Sequence, residues 1–290
     1  MKYKKPLMGL AALLILTFHF YIPIWGTEAE TFFVRTAYIG VDMFFLLSAM
    51  SLGKRDSCEW KSFYLNRLSS VYLPYLSMAV IAWIYHSWSI SRFLSVVTGL
   101  EFLKRGGGAF LWFIPGILLL YALTPLLYKL RQHMGNMSAW IPLGIWALLG
   151  VLLEYVFGYK KLMILVNRIP IFIIGFYLPE MKILPDKKTR SEGELRAGQE
   201  TEGTGVRSWV LWLAAMGGLA AGSLLLWKFG TLSRLNIPWS DFYYVAAIPS
   251  VLSLTLLMKL ITEAIPEKWP VKLPVLGSLG DLTLEIYGLQ

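Results

Sequence analysis

Stretches of about 17–25 mostly apolar residues recur along this chain, at roughly 7–25, 36–53, 70–88, 109–128, 138–157, 162–179, 208–228 and 242–262. In hydrocarbon every backbone N–H and C=O must be satisfied within the protein, so segments of this length cross a bilayer as helices. The sequence therefore predicts an all-α fold: a polytopic transmembrane helix bundle with about eight complete spans plus an incomplete ninth. That ninth segment begins near residue 276, runs GSLGDLTLEIYGLQ, and looks truncated at the end of the chain. Composition agrees, since 56% hydrophobic residues, 16% charged and a mean hydropathy of +0.57 are far too apolar for an ordinary water-soluble domain.

The charges supply an orientation. With the MKYKK terminus inside and the spans alternating, nine cations fall outside: Arg35, Arg92, Lys104, Arg105, Lys160, Lys161, Arg168, Lys228 and Arg234. The remainder of the 27 Lys and Arg lie inside, a bias that predicts a multi-pass membrane protein with its N-terminus cytoplasmic. A cleaved signal peptide over 1–25 is the alternative; it has the basic start but no small-residue cleavage site after the apolar run. The net charge of +9 does not point to nucleic acid, because no basic run is interleaved with aromatics on a polar segment. Residues 179–207 differ from their surroundings, with six acidic and six basic side chains and little apolar content. They read as a polar cytoplasmic linker between helix groups within a single integral membrane domain over 1–290. Residues 89–107 are less apolar and end in the triplet Gly106–Gly108, which suits a loop with an interfacial helix.

Ionisable groups inside the spans are the candidates for chemistry. In LMGLAALLILTFHFYIPIW the one side chain that titrates near neutrality is His19. It lies six residues from the outer end of its run, and Asp42 lies six residues from the outer start of the next, so both are expected roughly 9 Å below the outer boundary. Arg168 enters its span at that depth, and Glu154 lies three residues inside the end of 138–157. An Asp42 carboxylate that accepts from one imidazole nitrogen fixes the tautomer and leaves the other nitrogen to act as general base. The same pair also reads as an interhelical hydrogen bond with no chemistry, and spacing does not separate the two. His86 and His133 fall at a helix end and in a loop, and read as solvated or interfacial. Trp25, Trp60, Trp88, Trp112 and Trp209 sit at span ends as interfacial anchors. The single cysteine, Cys58, makes neither an intramolecular disulfide nor a metal site, and no metal is expected. Walker, dinucleotide, HExxH and GxSxG patterns are missing, which argues against nucleotide hydrolysis, zinc proteolysis and a serine-hydrolase elbow.

Five motifs in order, MGLAALLILTFHF, IGVDMFFLLSAMSL, FYLNRLSSVYLPYL, LWFIPGILLLYALTPL and RIPIFIIGF, resemble membrane acyltransferase family 3, the multi-span O-acyltransferases related to those of bacterial surface glycans. The resemblance covers nearly the whole chain. It implies transfer of an acyl group, commonly acetyl, from acyl-CoA as donor substrate, with no permanently bound cofactor, to a hydroxyl of a glycan or similar acceptor. His19 matches the first-helix histidine that acts as base, and Asp42 matches the acid of GVDxFF. Arg67 matches the basic position of FYxxR, where a cation holds phosphates of CoA. Trp112, Tyr121 and Arg168 match recurrent family positions, and with Glu154 they read as a substrate or structural polar layer. Two departures stand out. The family's arginine eleven residues before the histidine is Met8 here, with Lys4 and Lys5 one turn nearer the cytoplasm as candidate replacements. The family's last-helix SLEIYLLH appears as TLEIYGLQ and the chain stops, which leaves a shortened, inactive member as one alternative. A proton-coupled transporter or flippase using the His19 and Asp42 pair is the alternative from another class.

Overall fold

The computed structural model describes residues 3–20, 24–54, 59–179, 208–234, 245–264 and 274–281, and all regular structure among them is helical. The helices are α1 (Lys4–Phe20), α2 (Glu28–Thr36), α3 (Ile39–Gly53), α4 (Trp60–Arg67), α5 (Leu73–Tyr85), α6 (Ile90–Val97), α7 (Leu100–Arg105), α8 (Phe113–Met134), α9 (Trp140–Val151), α10 (Met163–Val166), α11 (Ile169–Tyr177), α12 (Ser208–Arg234), α13 (Ile248–Ala264) and α14 (Pro274–Asp281). The linker 180–207, Cys58 and Glu285 lie outside the described residues.

Among the described residues, five helical stretches are long and apolar enough to cross a membrane: Glu28–Gly53, Trp60–Tyr85, Phe113–Val156, Trp209–Lys228 and Val245–Ala264. The third is a hairpin. Tyr128 packs on Phe176 at 5.0 Å and Arg168 stands over Trp112 at 5.1 Å, so α8 runs parallel to α11. Ser138 bonds the Tyr177 hydroxyl at 2.8 Å while the Trp146 indole donates to the Val166 carbonyl, so α9 runs antiparallel to α11. Gly135, at φ +59°, makes the reversal between α8 and α9.

The Glu28–Gly53 stretch starts well before residue 36, where its apolar run begins. Thr27 accepts from the Glu30 N–H at 3.2 Å, and the Glu30 carboxylate accepts from the Ile24 and Trp25 N–H groups. This is close to the reciprocal capping arrangement of a T-x-x-E sequence, and it nucleates α2 ahead of α3. The third helix expected from the sequence is also modified. Pro74 has no N–H for the carbonyl four residues back, and the helix relaxes into a π turn over Leu68–Tyr72, with the Leu73 N–H bonded to the Leu68 carbonyl. Residues 90–105 form α6 and α7, two short helices; the Tyr72 and Tyr75 hydroxyls donate to the Val97 and Val96 carbonyls, and Phe93 stacks on Trp83. There the buried Glu101 gathers Arg92 at 3.3 Å, Arg105 at 3.1 Å and the Phe110 N–H at 3.1 Å, which fixes the entry to α8.

The core is built around α3 and α11. Both are mostly apolar and buried almost throughout, whereas α5, α9 and α12 turn residues such as Ile81, Ile145 and Leu213 outward, the pattern of helices that face lipid. No hydrophobic force drives helices together inside lipid, so close backbone packing has to do so. Gly40 brings α3 onto the Ala11 carbonyl of α1, and Gly53 brings it onto the Phe176 carbonyl of α11. The α1–α3 pair is antiparallel, with Lys4 bonded to Ser51 at one end and Phe18 against Tyr38 at the other. α14 lies along α1, Leu276 against Gly9 and Gly280 against Lys5.

A side chain at position 53 meets backbone, which cannot move aside as a flexible chain end does. Gly53→Leu is expected to destabilise the protein by about 1–3 kcal/mol or more, read as a lower melting temperature in detergent. Gly144→Leu, at a position where an added Cβ meets nothing within 4 Å, is the matched control and should melt like wild type.

Candidate active site

Two polar features occupy the interior, and they lie in adjacent layers. The first is an ion pair between α3 and the start of α11. Arg168 Nε stands 3.2 Å from an Asp42 carboxylate oxygen, with side-chain exposures of only 1% and 4%. Arg168 Nη1 donates to the Ile164 carbonyl at 2.6 Å, and the guanidinium lies over Trp112 at 5.1 Å and Tyr38 at 5.9 Å. Two charges so far from water persist together because removing either one leaves the other uncompensated.

The second feature is a cavity of about 230 Å³ lined from five elements. α1 supplies Lys4 and Met8, α3 supplies Phe44, Leu47 and Ser48, and α8 supplies Phe113, Ile117 and Tyr121; Arg67 ends α4, and Ser70 and Val71 come from the π turn. Its polar groups gather at one end. Lys4 Nζ donates to the Ser51 hydroxyl at 2.8 Å, the Tyr121 hydroxyl donates to Ser48 at 3.2 Å, and the Arg67 guanidinium lies 4.9 Å over Tyr121 and 5.6 Å over Phe63. Arg67 Nε is buried and has no hydrogen-bond partner among the described residues. Burial, and then the positive charges of Arg67 and Lys54, pull the Lys4 ammonium below the usual lysine range. Two crowded cations, with no carboxylate among the described residues that line the cavity, suit an anion.

The expected site residues are thus divided. Lys4, Arg67 and Tyr121 meet at the cavity, with Met8 beside them; Asp42, Arg168 and Trp112 meet in the ion pair one layer beyond. Lys5 is exposed and turns away from the cavity lining, with its carbonyl against Gly280. Glu154 is buried in a second π turn, Leu152–Val156, and does not line the cavity.

His19 does not pair with Asp42. Phe18 is level with Tyr38, so Asp42, one turn further along α3, lies about 6 Å deeper than Phe18 and about 7.5 Å deeper than the histidine. The carboxylate is held by Arg168, and the imidazole is exposed near the end of α1 with the Phe18 ring edge-on at 5.1 Å. The equal-depth expectation fails because α2 precedes α3, which moves the outer start of that stretch to Glu28. His19 does share a face of α1 with Met8, eleven residues and about 16 Å away, with the buried Ala12 and Ile15 between them. Sequence reasoning did not single out Ser48, Ser51, Phe44 or Phe113. The signal was available, because 44, 47, 48 and 51 fall on one helical face that carries two hydroxyls in an otherwise apolar span.

The model of the family described as an acyltransferase domain matches residues 7–290. The chain belongs to acyltransferase family 3. It is an acyltransferase, and its apolar helices make it a membrane protein. No curated protein and no solved structure matches it. Within this family member, cavity and ion pair lie side by side on α3, the helix that carries GVDMFF.

Breaking the ion pair on one side should cost about 3–5 kcal/mol, and removing both partners much less than the sum. Asp42→Leu, Arg168→Leu and the double variant, melted in the same detergent, form the cycle; additive losses would show that the two charges act independently.

Proposed function

We propose that this family member is a membrane O-acyltransferase that moves an acyl group, acetyl in the first instance, from acyl-CoA to a hydroxyl of a cell-surface glycan or similar acceptor. The cavity carries this reading: cations at one end, Lys4 and Arg67, and apolar side chains at the other suit a donor with phosphates at one end and an acyl thioester at the other. Arg67 Nε, buried without a partner among the described residues, is a donor that a phosphate oxygen satisfies. Lys4 takes the role of the cation that the family resemblance places at Met8.

In this reading the N-terminus is cytoplasmic and the membrane is the plasma membrane. The donor enters from the cytoplasm and the acceptor from the outer face. His19 is the general base. The acceptor oxygen bonds to the acyl carbon as the carbon–sulfur bond breaks; the hydroxyl proton passes to His19 and finally to the departing sulfur, giving CoA thiol and an ester. After binding in the cavity, the acyl thioester has to leave it and come to His19, about 16 Å from Met8 along α1, past the crossing with Gly40, where α1 and α3 have to separate. Asp42 is a positioning residue for Arg168, which supplies positive charge between cavity and base. A proton relay through a His19 and Asp42 pair has no such support, since the carboxylate is committed to Arg168.

Membranes supplied with radiolabelled acetyl-CoA and hydroxyl acceptors should label the acceptor, and His19→Ala should lower the rate by about 10²-fold or more. Transfer that persists in His19→Ala removes the histidine as base. Arg67→Ala should raise KM for the donor far more than it lowers kcat. The lowered Lys4 pKa adds a pH dependence: the ammonium binds an anion and the neutral amine does not, so donor affinity falls as pH rises, earlier than for an ordinary lysine. Lys4→Gln should flatten that profile, and an unchanged profile would exclude Lys4 from the site.

A further inference from the structure

We propose that Phe113, backed by Phe44, sets the length of acyl chain that the cavity accepts; the inference rests on the reading of the cavity as the acyl-CoA site. Its lining is graded along two helices. On α3 the series from Ser51 through Ser48 and Leu47 to Phe44 covers about 10 Å, and on α8 the series Tyr121, Ile117, Phe113 covers about 12 Å. Each runs from hydroxyl to aromatic ring, and the cations stand at the hydroxyl end. A donor held by its phosphates at Lys4 and Arg67 therefore directs its acyl group toward the two rings.

Those rings close the apolar end. Phe44 and Phe113 meet at 6.0 Å, and Phe113 is held edge-on by the fully buried Phe45 at 5.0 Å and 71°. Next to Phe113 in the chain, Trp112 packs on the Arg168 guanidinium, so the space behind the rings belongs to the ion pair. Turning Phe113 aside forfeits its contact with Phe45 and uncovers that layer, so a longer chain is not accommodated by a simple rotamer change. A truncated side chain at 113 leaves apolar room in line with the acyl group.

The test measures binding of CoA, acetyl-CoA and hexanoyl-CoA to purified protein in nanodiscs, for wild type, Phe113→Ala, Phe113→Leu and Phe44→Leu. Wild type should bind hexanoyl-CoA more weakly than acetyl-CoA. Each newly buried methylene is worth about fourfold in affinity, so Phe113→Ala should raise hexanoyl-CoA relative to acetyl-CoA by at least tenfold, with the leucine variants between. CoA without an acyl group is the internal reference for the cationic end. Binding of all three ligands with one unchanged ratio across the four proteins overturns this inference and leaves the donor reading standing. Wild type that binds none of them overturns the donor reading and this inference with it. Loss of CoA itself in all three variants shows the rings to be supports of the fold and also overturns the assignment.

Discussion

The ion pair between Asp42 and Arg168 is the interaction on which the interior depends. Both charges are almost wholly removed from solvent, in a part of the bundle where neither can find water instead. Their attraction ties α3 to the first turn of α11, and the aromatic rings of Tyr38 and Trp112 over the guanidinium connect the same point to the start of α3 and to α8. Three helices are thereby held in register at one layer. The close approach of Gly53 to Phe176 and the bonds from Tyr128 to the Leu52 carbonyl and Arg131 to the Gly53 carbonyl hold them again at the opposite end. Between these two ties, α3 and α8 present their Phe44-to-Ser48 and Phe113-to-Tyr121 faces to the cavity.

The cavity in turn depends on two local departures from regular helix packing. Without the N–H that Pro74 lacks, the π turn forms just after Arg67 and sets Ser70 and Val71 into the lining beside it. α1 then lies antiparallel on α3, which brings Lys4 to Ser51 and so to the same end as Arg67. A lysine at this place contributes a charge on a flexible stem in contact with cavity and hydroxyl, whereas Met8, one turn on, adds only apolar surface. In the proposed reaction this division matches a donor that is anionic at one end and apolar at the other, and it separates donor binding from the histidine about 16 Å further along α1.

Much of this was legible in the residues. The span-length apolar runs at 208–228 and 242–262 return as α12 and α13, and the Gly106–Gly108 segment returns as a short turn behind two small helices. The cationic candidates Lys4 and Arg67 do stand in one cavity with Tyr121. The reading of His19 and Asp42 as neighbours did not survive, because depth was counted from where apolarity begins. A helix begins where its first N–H groups are capped, and Thr27 with Glu30 supplies that cap well before the apolar run. The partnership of Asp42 with Arg168 links positions far apart in the chain, and nothing in local spacing ranks it above a pairing with histidine.

The sequence by itself determined the class of fold, the membrane environment and the family, because these follow from the length and polarity of segments and from ordered motifs that each occupy a few consecutive residues. Only the tertiary structure decided which charges neutralise one another and which side chains share a cavity. Those outcomes depend on how helices from distant parts of the chain rotate and slide against each other. That is set by backbone contacts at Gly40 and Gly53 and by a π turn, whose effects are a few ångströms in size and appear only when the helices are packed.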